Sequence, residues 1–197
     1  MANENEVANF VLTLWGQEEI ESLNEENESA RKLRRVWPLV RKSVLRRIDW
    51  NFARTEKLLA PVTDAVSDYA YAYAYPADCV EAREIYNSTK SHDADNIDFG
   101  VRSNASGNGK IIVTDQYQAV LFYTRAITVT SVFCPLFVEA CGYLMAAMTY
   151  KTFGGSAAEA KQHRLDFLAT IGEAGRVNKN EYWKKPNRKS CFELARG

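Results

Sequence analysis

Residues that metal and nucleophile chemistry depend on are scarce in this chain. Histidine occurs twice in 197 residues, as His92 and His163, and the four cysteines, Cys79, Cys134, Cys141 and Cys191, are far apart with no CxxC pair. Zinc sites draw on closely spaced Cys and His, so the pattern speaks against one. Scattered cysteines in a reducing compartment behave instead as small apolar residues. Neither histidine has a nucleophile motif around it, which argues against a Ser–His or Cys–His device. His92 and Asp93 form half of a metal phosphohydrolase dyad, but the additional histidines of such a centre are missing, and a polar turn is the simpler reading. The stretch "SNASGNGK" (103–110) has glycines without the GxxxxGK[ST] spacing and leads into a strand rather than a helix, which makes it a hairpin turn and not a phosphate loop. Glutamates around Glu18 and Glu25 sit in polar company, which favours solvated charge over the raised-pKa acid of a glycosidase. No catalytic residue, cofactor or metal is expected.

Long apolar runs are also lacking. The most apolar region, Val132 to Met148, contains Pro135, Glu139 and Gly142 and falls short of a bilayer span, so it reads as a core helix. The start, MANENEVANF, is acidic and polar and does not read as a secretory signal, so the protein is expected to stay in the compartment where it is made.

What is present is ordinary globular material: 46% hydrophobic, 25% charged and 12% aromatic, enough for one folded body. The net charge of zero hides a segregation. Residues 1–28 carry eight acidic side chains and no basic one, whereas residues 29–48 carry eight basic side chains and no acidic one. From Gly175 to Gly197 there are seven basic residues against two acidic. Blocks of this kind favour contact between surfaces of unlike sign, on one chain or between copies. Eight cations over twenty residues also suit a phosphate backbone. The apolar stripe in the same segment and its acidic neighbour place protein assembly ahead of nucleic acid, with a DNA-facing role left open for some of these residues.

The periodicity predicts an α+β chain, mainly α: a helical bundle with an inserted small antiparallel β region and an extended C-terminal tail. Helices are expected over about 5–17, 29–48, 115–130, 135–152 and 156–172, and the β-rich insertion over about 57–114. Ser29 is the expected cap of the second helix, Pro38 an expected kink or interruption within it, and Asp115 the expected cap of the third. The apolar face of the fifth includes Phe167, Leu168 and Ile171. Residues 1–174 would form the body and 175–197 a basic arm that depends on a partner for order. Within the insertion, "YAYAYAY" has the two-residue period of a strand, which puts Tyr69, Tyr71, Tyr73 and Tyr75 on one face and the alanines on the other. That face is either core or contact surface, since aromatic residues serve both.

Three stretches in order, "LTLWGQEEIESLNEENESARKLRRVWPLVRKSVLRRIDWNFA", "YAYAYPADCVEAREIY" and "IIVTDQYQAVLFYTRAITVTSVFCPLFVEACGYLMAAM", resemble the tail tubular protein A family, the head-to-tail adaptors of short-tailed bacteriophages. The resemblance covers about Leu12 to Thr152. It rests on Gly16 with Ile20, Ser22 and Leu23, on a basic helix from Ala30 that ends in Trp50, Phe52 and Ala53, on Tyr73, Tyr75, Pro76 and Asp78, and on the joint Phe133, Pro135 and Phe137. Trp15 departs from the pattern, because relatives more often have an aliphatic residue there, and this bears on local packing.

The resemblance implies a structural virion protein, made in the host cytoplasm, that forms a ring of usually about twelve copies between the portal and the tail nozzle and keeps the DNA channel continuous. It also implies that Pro76 and Asp78 turn the chain from a helical half into the sheet. The interface candidates are the four tyrosines, the helix cations Arg31, Arg34, Arg35, Arg41 and Arg46, and in the arm Tyr182, Trp183, Lys184, Lys185, Arg188 and Phe192. Two readings from other classes stand beside this one: a tail-associated peptidoglycan hydrolase, and a cytoplasmic DNA-binding protein that uses the basic helix 29–48.

Overall fold

The computed structural model describes residues 4–63, 68–87 and 97–181. The expectations for His92, Asp93, Cys191 and the arm residues Tyr182, Trp183, Lys184, Lys185, Arg188 and Phe192 fall outside them. The described chain is mixed helix and strand. Its order is α1 (Glu4–Leu14), α2 (Glu28–Arg47), β1 (Arg54–Leu58), β2 (Tyr71–Ala74), β3 (Cys79–Asn87), β4 (Phe99–Ser103), β5 (Lys110–Thr114), β6 (Ala119–Arg125), α3 (Pro135–Thr149) and α4 (Ala157–Glu181). Two three-stranded antiparallel sheets are present, with orders β1-β6-β3 and β2-β5-β4. The chain divides into two compact units, one of Met1–Thr55, Ala77–Arg83 and Tyr123–Asn178, the other of Glu56–Pro76, Glu84–Phe122 and Lys179–Gly197.

In the first unit, α1 and α2 both pack on α3. That helix is apolar nearly all round, with Phe137, Ala140, Cys141, Gly142, Met145, Ala146 and Ala147 buried, as a central helix must be. Gly142 is needed there: a Cβ would lie 2.1 Å from Cδ1 of Phe10, so only glycine lets α1 approach. Trp15 is accommodated in the same way. Its ring covers Gly155, where a Cβ would lie 2.3 Å from Cζ3, and it meets His163 edge-on at 5.0 Å. A second aromatic group, Trp50, Phe52, Phe133 and Phe137, has ring centroids 4.6 to 6.4 Å from one another or from Trp37.

Helix α1 closes with a Schellman motif: Gly16 has φ +60°, its N–H bonds Thr13 O, and Gln17 N–H reaches back to Leu12 O. Helix α2 is capped by Asn27, whose Oδ1 accepts from Ala30 N–H at 2.7 Å; this replaces the Ser29 cap. It runs unbroken through Pro38, so the expected interruption is absent. Helix α4 starts with a capping box, Ser156 with Glu159, and those hydrogen bonds, the backbone one first, hold the Glu159 carboxyl below the usual range.

The expected helix over 115–130 does not exist. Ala119–Arg125 is strand β6, and Asp115, its expected cap, instead accepts a hydrogen bond from Ala70 N–H. The run "AVLFYTR" is short, rich in aromatic and β-branched residues, and buried at five of its seven positions, Ala119 and 121–124, with Val120 half-buried. A strand covered on both faces shows no alternation, so spacing alone misassigns it. Strand residues accordingly reach beyond the expected 57–114 limits, from Arg54 to Arg125. Pro76 and Asp78 join β2 to β3 rather than a helix to the sheet. Asp78 accepts from Tyr123 Oη at 3.0 Å, and burial first, then this bond, pushes the phenol up to about 12. Helix α4 continues to Glu181, so the first residues of the expected arm are helical.

The C-terminus of α2 has no glycine to end it. Trp50 Nε1 donates to Val44 O at 2.9 Å. From β3, Arg83 donates through Nη2 to Arg46 O (3.1 Å) and Ile48 O (2.8 Å), and through Nε to Thr124 Oγ1 on β6 (3.0 Å). A guanidinium at a helix C-terminus satisfies otherwise orphaned carbonyls and meets the negative end of the helix dipole. Arg83→Ala is expected to cost about 2–4 kcal/mol in urea unfolding, and Arg83→Lys, which lacks the fork, to recover less than half of that. A loss below about 0.5 kcal/mol would show that the clamp does not hold the helix end.

Candidate functional site

The residues singled out in the sequence separate into surfaces. On α2, Leu33, Trp37, Val40, Val44 and Leu45 are buried, so the cations lie outward. Arg31, Arg34, Arg35, Lys42 and Arg46 are exposed, and Arg41 is half-buried with its guanidinium 5.8 Å from the Trp37 ring. Lys32 pairs with Glu28 at 2.6 Å, and Arg46 pairs with Glu81 at 2.5 Å. Glu28 is held below the usual carboxylate range, mainly by its hydrogen bond to Lys32, then by the charges of Lys32 and Arg31. Arg34, Arg35 and Lys42 have no hydrogen bond or ion pair among the described residues.

The acidic stretch that precedes α2 is a built loop. Asn9 bonds both Ile20 N–H (through Oδ1) and Ile20 O (through Nδ2), each at 3.0 Å. One turn earlier, Asn5 accepts from Leu23 N–H and donates to Glu21 O. These two side chains hold the loop backbone against α1 and bury Ile20 and Leu23, which leaves Glu18, Glu19, Glu21, Glu25 and Glu26 exposed. The signal was an asparagine pair at i,i+4 on one helix, which composition alone does not flag.

The second unit holds the tyrosines. Strand β2 pairs with β5 in the register Tyr71↔Thr114, Ala72↔Val113, Tyr73↔Ile112 and Ala74↔Ile111. Tyr71 and Tyr73 therefore share a face, with ring centroids 6.3 Å apart, and Lys110 lies 5.4 Å from the Tyr75 ring, two residues further along the same side. Tyr69 departs from the row. It packs on the alanine face with Ala72, Ile111 and Val113, under Arg102, because the strand begins only at Tyr71. The single-face expectation thus fails for Tyr69. Both earlier interpretations of the row apply to different members: Tyr73 is 3% exposed with its hydroxyl donating to Gln116 O, whereas Tyr71 is 37% exposed beside Tyr117, itself 62% exposed.

Helix α4 adds a surface the sequence reading missed. Leu165 and Leu168 are 51% and 54% exposed, in line with Ala169 and Gly172 at spacings of three and four, while Ala160, Phe167, Thr170 and Ala174 face inward. Leu168 is therefore not on the buried face. An open groove of about 430 Å³ lies along Phe52, Ile127, Val129 and Val132, with Arg125 as its one ionisable lining residue. Cys141 is buried and its thiol is pushed well up by burial; Cys79 and Cys134 are half-buried. Among the described residues no cluster of His, Cys, Asp or Glu could hold a metal, and no helix is long and apolar enough to cross a membrane.

No protein-family model and no curated protein matches this chain.

The tyrosine row yields a graded expectation. Tyr73→Ala should cost about 3–5 kcal/mol by denaturant unfolding, and Tyr73→Phe about 1 kcal/mol for the lost hydroxyl bond. Tyr71→Ala with Tyr117→Ala should stay within about 1 kcal/mol. A stability loss at Tyr71 as large as at Tyr73 would contradict its placement at an exposed rim.

Proposed function

We propose that the chain is a structural virion adaptor: a head-to-tail connector that forms a ring between portal and tail nozzle and keeps the DNA channel continuous. Its fold in this reading is a helical body with an inserted β region and a basic C-terminal arm. The observation that carries it is the separate display of unlike surfaces by one small chain. The first unit carries an acidic loop at 17–26, a basic face on α2 that is only partly paired and an apolar stripe at Leu165 and Leu168; the second carries an aromatic rim at Tyr71 and Tyr117. A chain that must contact copies of itself and two different neighbours needs several such patches, since a head-to-tail ring alone uses two unlike patches on each chain. The resemblance of the residue order to tail tubular adaptors supports the same reading.

The mechanism is geometric rather than chemical. Unlike charge orients approaching subunits, and exposed apolar and aromatic side chains supply the burial that holds them. Nothing is turned over, and the reaction the protein serves is transfer of DNA through a continuous passage.

Mixing the purified chain with purified portal rings at micromolar concentration should give a discrete larger particle in sedimentation velocity. Leu165→Glu with Leu168→Glu should keep the fold by circular dichroism and weaken that association at least about ten-fold, the effect of one central apolar contact. Failure of the wild-type chain to bind the portal would overturn the proposal.

A further inference from the structure

Several cations on the outer face of α2 have no counter-charge paired to them among the described residues. Residues 29–48 contain no acidic side chain, so no i,i+4 partner exists within the helix after Glu28. The two carboxylates that reach this helix are already engaged, Glu28 with Lys32 and Glu81 with Arg46. Arg34, Arg35 and Lys42 remain without a partner among the described residues, and Arg31 is shared only through the charge of Glu28.

Their geometry is linear. At 100° and 1.5 Å per residue, Arg31, Arg34, Arg35 and Lys42 fall within an arc of roughly 100° and span about 16 Å of helix. The opposite side is anchored in the core by Trp37, Val40 and Val44, so the row is held rigid rather than carried on a loop. Three of the four are arginines, whose planar fork suits phosphate oxygens.

We infer that this face of α2 binds the phosphate backbone of duplex DNA without regard to sequence. Duplex DNA presents a charge every ~1.7 Å of axis, so a straight row about 16 Å long meets phosphates in any register. An acidic protein surface would have to supply carboxylates at matching positions along the same row. Leu39, 57% exposed at the edge of the face, is the one feature that would serve such a protein partner, and the test below separates the two. The inference rests on the charge and shape of α2 and stands whether or not the chain is an adaptor; within that function it assigns α2 to the DNA passage.

The test is fluorescence anisotropy of the full chain with a mixed-sequence duplex of about 20 base pairs, between 50 and 200 mM salt. Neutralisation of three phosphates by Arg34, Arg35 and Lys42 gives a log–log slope of about −2.7, an affinity loss of roughly forty-fold over that range. Two duplexes of different sequence should bind alike. Arg34→Ala with Arg35→Ala and Lys42→Ala, all exposed positions, should melt like the wild type and lose nearly all of this slope, while Arg34→Lys with Arg35→Lys should keep most of it. A variant with Lys184, Lys185, Arg188 and Lys189 replaced by alanine serves as the control for the arm and should retain the α2 contribution. Unchanged DNA binding by the triple alanine variant would overturn the inference, as would no binding by the wild type at 50 mM salt. Loss of portal association by the triple variant without any DNA binding by the wild type would show that the face takes an acidic protein instead.

Discussion

The first unit depends on how the end of α2 is held. A helix that stops without a glycine leaves carbonyls that must find donors, and here the donors come from residues distant in sequence: Trp50 for Val44 O, and Arg83 for Arg46 O and Ile48 O. Because Arg83 sits on β3 and also holds Thr124 of β6, one guanidinium fixes the helix end against two strands. Hydrogen bonds from a charged donor to helix-end carbonyls are among the stronger ones, and their direction leaves little rotational freedom to the helix. The buried stripe of α2 then faces α3, and its arginines and Lys42 have only the outside left.

The same economy of placement holds for the acidic loop. Asn5 and Asn9 satisfy its backbone from α1, so Ile20 and Leu23 can be buried while the glutamates between them stay outward. Charge segregation along the sequence thereby becomes segregation in space, with each sign tied to a rigid element. Gly142 and Gly155 make this possible at the level of packing, since each leaves room for an aromatic ring from the α1 region, Phe10 or Trp15.

Much of this was legible in the sequence, and the failures have physical causes. Helices α1 and α2 follow from their 3.6-residue periods, α3 and α4 from their start and stop residues at Pro135, Gly154 and Ser156, and the hairpin between β4 and β5 follows from "SNASGNGK", where Gly107 takes φ +70° and Asn104 Oδ1 accepts from Asn108 and Gly109 N–H. Strand β6 was mistaken for a helix because a strand buried on both faces has no alternation to read. The tyrosine row was read as one face because period two assumes a strand throughout, and the strand starts after Tyr69. On α4, Leu168 was assigned inward by hydrophobicity, although the helix buries only a narrow line through Ala160, Phe167 and Ala174. Arg83 and the asparagine pair were invisible, since each acts on backbone groups that no side-chain pattern marks.

An adaptor works by presenting different surfaces to different neighbours, and the proposed function uses the acidic loop, the basic face of α2 and the exposed apolar residues of α4 in that way. Under the proposed function, the most direct measurement is the amount of this chain in gradient-purified phage particles, quantified by peptide mass spectrometry relative to the portal protein. Near-equimolar amounts are expected of a ring component that sits below the portal. Absence from mature particles would contradict the adaptor function.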